Sequence, residues 1–326
     1  MYRKILQESG ETGMRYCFGV DIGGTTVKLG CFTLEGAILD KWEIVSHTEE
    51  EGRAILPDIS DSISQKIEEH RWNKADIIGI GVGVPAPVTN DGVVKGSANL
   101  GWKYKEVKRE LEALTGLKVK VENDANVAAL GEMWKGGGQG ETNLVMVTLG
   151  TGVGGGILVD GKILTGAHGA GGEIGHICVN YNETEVCGCG NRGCLEQYAS
   201  ATGIVRLARR RLKTTDKETI LRCDGVTAKS VFDAVKAGDK VAIEIAEEFG
   251  RYLGWGLANL AAVTDPAMIV IGGGVSKAGD ILLSFVEKPY REHAFFSNKR
   301  IKFGLATLGN EAGICGSAKL ILDDGQ

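Results

Sequence analysis

Short apolar runs alternate with segments of helical period along most of the chain, beginning near residue 16. Residues 16–21, 27–33 and 38–45 are rich in β-branched and aromatic types and are separated by turns that contain glycine, which predicts three strands. An isoleucine recurs at every fourth position from 55 to 67, which predicts a helix with one apolar stripe facing a sheet. Residues 77–84 are almost continuously apolar, as in a strand covered on both faces. Strands that alternate with helices in this way predict an α/β fold.

The second half of the chain repeats this opening. A predicted strand at 117–121 and a helix at 122–134 lead to the segment 136–140, GGGQG, which has the composition of a linker. A strand at 144–149, a glycine–threonine turn and another strand then repeat the order found around Asp21. This weak internal symmetry predicts two lobes that each present one such turn to a shared cleft.

The rest of the chain is predicted to be mainly helical. Helices are expected at 199–212, 230–237 and 240–263, from about 277, and at 312–322, and strands at 268–271 and 301–306. Residues 1–14 show no such pattern and are predicted to form a loose tail.

Composition excludes several classes of protein. The 326 residues carry a net charge of −5, and no cluster of lysine and arginine forms the basic face that a nucleic-acid-binding protein needs. The most apolar stretch, 257–271, is interrupted by Asp265 and Pro266 and falls short of the ~20 residues that cross a bilayer. The polar N-terminus lacks the apolar core of a secretory signal. We therefore expect a cytoplasmic protein with neither nucleic acid nor membrane as a partner.

The stretch 171–196 concentrates residues that bind metals. Three thiols and one imidazole form the donor set of a closed structural zinc site, namely His176, Cys187, Cys189 and Cys194. Thiolate-rich sets select zinc or iron–sulfur over calcium or magnesium. Glycines at 188, 190 and 193 are placed where the backbone must curl tightly between the donors.

Two other interpretations of these cysteines stay open. They can be unrelated buried thiols, which behave as small hydrophobes. A disulfide is less compatible, because Cys187 and Cys189 are too close in sequence for an easy bridge and three thiols leave one over. The remaining cysteines show no spacing that requires pairing, which indicates a reducing compartment; they are Cys17, Cys31, Cys178, Cys223 and Cys315.

The turn 21–26, DIGGTT, places a carboxylate at a strand end, followed by two glycines and two hydroxyls. Backbone N–H groups of such a turn can bind phosphate oxygens, and a carboxylate beside phosphates is usually a magnesium ligand. Glycine and threonine are also common in plain hairpins, but the related turn 150–156 favours the phosphate interpretation. The chain has no GxxxxGK[ST] motif and no kinase glycine-rich loop with its partner motifs.

Asp124 lies where a predicted strand passes into a helix. Aspartate and asparagine are preferred helix N-caps, yet capping needs only one residue and the segment 122–126, ENDAN, offers several. Ligands of α/β folds bind at the carboxyl ends of strands. Spacing alone does not decide between a cap and a catalytic carboxylate.

Five segments together resemble the ROK family of sugar kinases and repressors, and within it the bacterial glucokinases. They are DIGGTT, ENDANVAALGE, LGTGVGGG, GGEIGH and CGCGNRGCLE, which occur in the family's order between residue 16 and the end of the chain. The resemblance implies a two-lobed, actin-like α/β fold in which ATP and a sugar, most typically glucose, meet in the cleft. One departure is Ala86, where the family often has glycine.

The resemblance also implies a role for each motif. Asp124 would be the general base that takes the proton from the sugar hydroxyl. Sugar hydroxyls would be bound by Asn123, Glu173, His176 and Glu196, and the zinc by His176, Cys187, Cys189 and Cys194. The first phosphate loop would contain Asp21, Gly23, Gly24, Thr25 and Thr26, and the second Thr151 and Gly152. Gly272, Gly273 and Gly274 would lie near the nucleotide, which would bind with Mg²⁺.

The expected domains are a tail at 1–14, an N-terminal lobe at 15–134 plus 312–326, and a C-terminal lobe at 135–311. Members of the family are typically homodimers, so the resemblance implies a homodimer. Three alternatives remain: a kinase for another hexose or an N-acetylhexosamine, a sugar-responsive repressor, and a non-catalytic sugar-binding protein. The repressor is disfavoured because only twenty residues precede Asp21, too few for a helix-turn-helix domain.

Overall fold

The structure is a computed structural model that describes residues 15–222 and 225–324. The chain divides into two compact units. Unit 1 comprises the residues up to Ala128 and those from Gly313 onward, and unit 2 comprises Ala129–Ala312. The predicted tail at 1–14 and the thiol of Cys223 lie outside the described residues.

Each unit is built around one five-stranded sheet. The strands of unit 1 are β1 (Tyr16–Ile22), β2 (Thr26–Thr33), β3 (Ile38–Val45), β4 (Ile77–Val84) and β5 (Val119–Asn123). Those of unit 2 are β6 (Leu144–Leu149), β7 (Val153–Val159), β8 (Lys162–Ile163), β9 (Met268–Gly272) and β10 (Lys302–Leu305).

The α-helices separate these strands along the chain. They are α1 (Ile55–His70), α2 (Val107–Thr115), α3 (Asp124–Lys135), α4 (Glu196–Ala199), α5 (Ala201–Thr214), α6 (Ala228–Lys236), α7 (Lys240–Thr264), α8 (Asp280–His293) and α9 (Ala312–Asp323). Shorter helical turns occupy Glu49–Gly52, Lys74–Asp76, Ala98–Leu100, Ile174–His176, Val275–Ala278, Asn298–Arg300 and Gly309–Glu311.

The two sheets have the same topology. In unit 1 the order is β3-β2-β1-β4-β5, and in unit 2 it is β10-β9-β6-β7-β8. If the strands of each unit are numbered 1 to 5 along the chain, both sheets have the order 3-2-1-4-5. Strands 1, 2 and 3 form an antiparallel meander, and strands 4 and 5 are added parallel to strand 1. The internal symmetry suggested by the sequence is therefore a repeat of a whole sheet.

Each sheet packs its apolar side chains into a core of its own. In unit 1, Phe18 and Val20 of β1 and the isoleucine stripe of α1 are buried together. In unit 2, the long helix α7 packs Phe249 and Leu253 against the strands. Asp239 begins that helix by accepting a hydrogen bond from the Ala242 N–H at 2.9 Å.

Two segments differ from their predicted form. The helix expected at 199–212 is interrupted at Ser200, whose hydroxyl accepts a hydrogen bond from the Gly203 N–H at 2.9 Å and so starts α5. The expected linker at 136–140 is a packed turn within unit 2. A Cβ on Gly137 would lie 2.2 Å from the Leu305 carbonyl oxygen, so these glycines permit close packing of the backbone.

None of the helices within residues 15–222 and 225–324 combines the length and the apolar content that crossing a membrane requires.

Candidate active site and metal centre

Three parallel strands of unit 1 end at the same edge of its sheet. Asp21 of β1 lies opposite Gly83 of β4, and Gly83 lies opposite Glu122 of β5. Adjacent strands are about 4.8 Å apart, so the backbones of β1 and β5 are about 10 Å apart at this edge. The carboxyl ends of parallel strands are the usual ligand sites of α/β folds. The predicted first phosphate loop and Asp124 therefore both lie at the carboxyl ends of the parallel strands of the unit 1 sheet.

The first glycine–threonine turn joins β1 to β2. The Gly23 N–H donates to the Thr26 carbonyl oxygen at 3.0 Å, while Gly24 and Thr25 are exposed. A Cβ on Gly24 would lie 3.1 Å from the Asn99 carbonyl oxygen. The turn is thus a tight, solvent-facing hairpin whose glycines keep the backbone open to an incoming ligand.

Asp21 is a mostly shielded carboxylate at the base of this turn. Burial raises the pKa of Asp21, and the positive charge of Lys28 opposes that effect. A Cβ on Gly313, in the first turn of α9, would lie 2.4 Å from Asp21 Oδ2. No residue that the structure describes donates a hydrogen bond to this carboxylate. A divalent cation, bound directly or through water, would satisfy the chemistry of such a group.

Asn123 and Asp124 both accept hydrogen bonds at the start of helix α3. Asn123 Oδ1 accepts hydrogen bonds from the N–H groups of Ala125 at 2.9 Å and Asn126 at 3.2 Å. Its Nδ2 donates to the Ala86 carbonyl oxygen at 3.2 Å, which ties the cap to the loop after β4. Asp124 is the first helical residue, and its Oδ1 accepts from the Ala125 N–H at 2.8 Å. Asn123 thus accepts from two N–H groups of the first turn, and Asp124 shares one of them.

Ala86, the residue that departs from the family pattern, is buried with 6% of its surface exposed. Its N–H donates to the Val84 carbonyl oxygen at 2.8 Å, which makes the chain turn sharply after β4. Its carbonyl oxygen accepts the hydrogen bond from Asn123 described above. Its backbone therefore helps to hold the start of α3.

The predicted metal ligands meet in unit 2. His176, Cys187, Cys189 and Cys194 each offer one donor atom, and these atoms all lie within 4.8 Å of one another. Cys189 Sγ is 3.6 Å from Cys194 Sγ, and Cys187 Sγ is 3.9 Å from His176 Nδ1. Donor atoms on a tetrahedral zinc with Zn–S bonds of about 2.3 Å would lie about 3.8 Å apart. The cluster can therefore hold a metal ion with four protein donors.

Backbone hydrogen bonds bring the donors together. The Cys187 N–H donates to the Asn191 carbonyl oxygen at 2.7 Å, and the Gly190 N–H donates to the Cys187 carbonyl oxygen at 2.9 Å. Gly190 has φ +91° and Gly193 has φ +72°, which side chains disfavour. A Cβ on Gly193 would also lie 1.9 Å from the Asn180 carbonyl oxygen. Gly188 has no left-handed φ, and a Cβ there would have no neighbour within 4 Å, so this turn does not require glycine at that position.

The thiols differ in their electrostatic surroundings. Burial raises the pKa of Cys194 to about 12. A hydrogen bond from the Asn191 backbone lowers the pKa of Cys189. Since a metal binds the thiolate, binding at this cluster must release protons from the buried thiols.

Two carboxylates flank the cluster. Glu196 Oε1 lies 2.9 Å from Cys187 Sγ and 3.7 Å from His176 Nδ1. Glu173 Oε2 lies 3.9 Å from His176 Nε2. Nδ1 thus faces the thiols while Nε2 faces a carboxylate, so the two ring nitrogens of His176 have separate partners. The structure brings the predicted Glu173, His176 and Glu196 together.

The second glycine–threonine turn lies beside Glu196. A Cβ on Gly152 would lie 2.7 Å from Glu196 Oε2, so this carboxylate lies directly against the turn. The Thr202 hydroxyl donates to the Thr151 carbonyl oxygen at 2.7 Å, which fixes the turn against the start of α5. An open cavity of about 430 Å³ is lined here by Thr151, Gly152, Cys187, Glu196, Thr202 and Arg206, among others.

The glycine triplet after β9 packs against the same region. Gly273 has φ +85°, and a Cβ there would lie 2.5 Å from the Leu149 carbonyl oxygen at the end of β6. Gly274 is exposed and has no neighbour within 4 Å of a Cβ. Because β6 and β9 are parallel neighbours, the second turn and the triplet share one sheet edge. Of the predicted residues, those in unit 2 thus fall into a metal cluster and an adjoining sheet edge.

Sequence reasoning missed a buried charge network behind the metal cluster. Glu183, whose side chain is 3% exposed, accepts a hydrogen bond from the Tyr198 hydroxyl at 2.5 Å. Arg210 contacts both of its oxygens at 3.1 Å, and Arg206 also pairs with it. Burial alone would raise the pKa of Glu183, but the hydrogen bonds from Arg210 and Tyr198 outweigh it and hold the pKa well below its usual range. The signal in the sequence is the spacing of the two arginines, four residues apart on one helix face.

Comparison with known proteins agrees with this arrangement. The model of the ROK family matches residues 17–324. A glucokinase of Halalkalibacterium halodurans is 46% identical over 318 residues, covering 94% of this chain and 95% of that protein. The chain therefore belongs to the ROK family, and the resemblance stated from its motifs is confirmed.

Solved structures of the family share the fold. A ROK hexokinase from Thermus thermophilus has a TM-score of 0.80 and 31% identity, covering 94% of this chain and 97% of that one. A ROK family glucokinase from Streptomyces griseus, in complex with glucose and AMPPNP, has a TM-score of 0.73 and 36% identity, covering 94% and 98%. The predicted α/β, actin-like sugar kinase fold is confirmed.

Proposed function

We propose that this chain is an ATP-dependent glucokinase, which transfers the γ-phosphoryl group of ATP to a hydroxyl of glucose and releases glucose 6-phosphate and ADP. The support is the 46% identity to a named glucokinase over almost the whole chain. A structural neighbour at 36% identity was solved with glucose and AMPPNP, an ATP analogue. The reaction class is that of an ATP-dependent sugar kinase.

Asp124 acts as the general base. A hydroxyl is a poor nucleophile, and a carboxylate that accepts its proton contributes about 10²- to 10⁴-fold to the rate. The observation that carries this assignment is the place of Asp124 at the junction of β5 and α3. Ligands of α/β folds bind at the carboxyl ends of strands, so the carboxylate lies where a sugar hydroxyl would bind.

The glycine–threonine turns bind phosphate. Phosphoryl transfer depends on placing the nucleophile in line and on neutralising charge on the transferred group. Asp21 holds Mg²⁺, directly or through water, and Gly23, Gly24, Thr25 and Thr26 offer N–H and hydroxyl donors around it. Thr151 and Gly152 donate in the second turn, and Gly272, Gly273 and Gly274 leave space for the nucleotide.

Zinc is the metal of the Cys/His cluster. Three thiols and an imidazole whose donor atoms all lie within 4.8 Å of one another suit a tetrahedral ion with no open position. When bound, the ion supplies structural rigidity. The chain's own residues do the recognition: His176 presents Nε2, and Glu173 and Glu196 present carboxylates, to the sugar hydroxyls, with Asn123 as a further donor.

The test is a panel of hexoses and N-acetylhexosamines with MgATP, followed by coupled ADP release. Glucose should give the highest kcat/KM. Asp124→Asn should lower kcat by at least about 10²-fold while glucose still protects the protein against thermal unfolding. Asp91→Asn, which removes an exposed carboxylate of the same unit, should leave kcat unchanged.

Two outcomes would contradict the proposal in different ways. An N-acetylhexosamine preferred over glucose would change the substrate and keep the kinase. Near-normal turnover by Asp124→Asn would remove the assignment of the base. The predicted homodimer and cytoplasmic location stay predictions.

A further inference from the structure

Cys178 lies directly opposite Cys194, one of the four metal donors. The two residues form an antiparallel β-bridge. The backbone hydrogen bonds lie on either side of the pair: the Val179 N–H donates to the Gly193 carbonyl oxygen at 2.8 Å, and the Leu195 N–H donates to the Ile177 carbonyl oxygen at 2.9 Å. The two cysteines are therefore a non-hydrogen-bonded pair, in which Cα atoms are about 4.5 Å apart and the side chains approach most closely.

This pairing satisfies the distance requirement of a disulfide, which joins Cα atoms about 4.4–6.8 Å apart. The Cys178 sulfur already lies against the partner segment, since Sγ is 3.2 Å from the position that a Cβ on Gly193 would occupy. Gly193 immediately precedes Cys194, so the Cys178 sulfur lies beside the backbone that carries Cys194. The backbone pairing places the two residues at a separation that a disulfide can span.

The two thiols differ in exposure. Cys178 is partly exposed, whereas Cys194 is completely buried. Cys178 is also not among the donors of the cluster, so the proposed metal centre gives it no role. Cys189 is more exposed than Cys178, but in the metal-loaded protein it is one of the donors. Cys178 is then the partly exposed thiol outside the donor set that an oxidant from solution can reach, and its oxidised sulfur faces the buried Cys194.

We propose that Cys178 is an oxidation site that forms a disulfide with Cys194 and thereby removes Cys194 from the metal donors; the second half of this inference rests on the proposed zinc centre. With a hydroperoxide as the oxidant, the Cys178 sulfur attacks the O–O bond, becomes a sulfenic acid and releases water or an alcohol. The Cys194 sulfur then attacks the Cys178 sulfur, the S–S bond forms and the S–O bond breaks with loss of water. Two thiols are oxidised by two electrons, and one peroxide is reduced.

The consequence is a cluster with three donors in place of four. Cys189 Sγ, 3.6 Å from Cys194 Sγ, would lose its nearest sulfur partner on the metal. The same short distance makes a Cys189–Cys194 bridge the rival product of oxidation. Sulfenic acid and disulfide are reversible by thiols, so the site is restored by a reductant and added zinc.

The experiment compares zinc-loaded wild type with Cys178→Ser during titration with hydrogen peroxide. Zinc release is followed with a chromogenic chelator. We expect the peroxide dose that releases half of the zinc to be at least about tenfold higher for Cys178→Ser. Cys17→Ala, which removes a buried thiol whose pKa is raised to about 12 by burial, should behave as wild type.

Mass spectrometry of the alkylated, non-reduced protein identifies the bridge. Trypsin cuts after Arg192, and a glutamate-specific protease cuts after Glu183 and Glu185. Cys178, the Cys187–Cys189 pair and Cys194 then fall on three separate peptides. A linked peptide containing Cys178 and Cys194 is expected. A Cys189–Cys194 link, or equal peroxide sensitivity of Cys178→Ser, would overturn the inference. The peptide assay needs neither bound metal nor kinase activity, so it remains decisive if the proposed function fails.

Discussion

The two ring nitrogens of His176 face different groups. Nδ1 lies 3.9 Å from Cys187 Sγ, and Nε2 lies 3.9 Å from Glu173 Oε2. In metal sites the second nitrogen of a ligating histidine is normally engaged by another group, which fixes the tautomer and the ring orientation. Here that second nitrogen faces Glu173, one of the two carboxylates proposed to bind the sugar.

Replacement of His176 by alanine should therefore affect metal and sugar together. We expect His176→Ala to lower the metal affinity by about 10- to 100-fold, and therefore to lower the zinc content after dialysis against a mild chelator. The same substitution should raise the KM for glucose. Metal analysis and steady-state kinetics measure the two effects. His168→Ala, at an exposed position of unit 2, is the control. A variant that keeps its zinc but loses glucose affinity, or the reverse, would exclude the dual role.

Residue type predicted the metal donors better than it predicted the cap. Three thiols and a histidine near one another in sequence have few other uses, and the fold brings them within 4.8 Å. The choice between a cap and a base at Asp124 could not be made from the sequence, because capping depends on which side chain reaches the first N–H groups. Glu183 was not identified, since its partners Tyr198, Arg206 and Arg210 come 15 to 27 residues later.

At the scale of elements, the loop between Ile177 and Leu195 is held at two places. The metal cluster fixes one side, and Glu183 fixes the other against α5 through Arg206 and Arg210. Tyr198, a second partner of Glu183, belongs to α4, the helix that begins at Glu196. The buried network therefore positions the helix that carries a proposed sugar ligand.

Glu183→Gln should destabilise the protein by about 2 kcal/mol at pH 7, because it replaces a buried carboxylate, which accepts hydrogen bonds from Tyr198, Arg206 and Arg210, by an uncharged amide. The folded pKa of Glu183 lies below its ordinary value of 4.5, so the ionised group stabilises the fold above about pH 4.5. That stabilisation is lost as the pH falls below 4.5 towards the folded pKa. The difference between wild type and variant should therefore be largest near neutral pH and shrink in acid.

Urea unfolding at pH 7 and at pH 4 measures this difference. Glu185→Gln is the matched control, because Glu185 pairs with the same two arginines but is 57% exposed. Exposed ion pairs contribute about 0–1 kcal/mol, so its effect should be small at both pH values. A Glu183→Gln effect that is equal at pH 7 and pH 4 would show that packing, and not charge, is responsible.

The apolar pattern located most strands because buried strands carry a strong signal. β3, β4 and β6 have the predicted bounds. The glycine segment 136–140 and the break at Ser200 were not predicted, because each depends on a contact that composition does not encode. In the first, Glu132 accepts a hydrogen bond from the Gly137 N–H at 2.7 Å, and in the second Ser200 caps a new helix.

At the scale of the whole molecule, the four residues of the Cys/His cluster all belong to unit 2, and the proposed structural zinc would contribute directly to the folding free energy. We expect prolonged treatment with a strong chelator to lower the melting temperature by several degrees. Added Zn²⁺ should restore it and Mg²⁺ should not. Cys187→Ser without chelator should reproduce the loss. A melting temperature indifferent to chelation would argue against a structural ion.

The fold class and the family followed from the sequence because alternation of strands and helices is a property of the chain as a whole, and the motifs occur in a fixed order. The repeat of a complete sheet was only partly visible. The two glycine–threonine turns indicated it, but the order 3-2-1-4-5 in both units depends on strand pairing, which a single sequence does not state.

Because the two sheets have the same strand order, the strands of unit 1 can be aligned with those of unit 2. Each first strand ends in a hydrophobic residue followed by glycine, Ile22-Gly23 in unit 1 and Leu149-Gly150 in unit 2. One position earlier the copies differ, with Asp21 in the first and Thr148 in the second. The shared hydrophobic residue and glycine meet the requirements of the hairpin. Asp21 and Thr148 occupy the position at which the two copies differ. The two sheets are thus equivalent in topology but not in chemistry, since the first has a carboxylate at this position and the second has a hydroxyl.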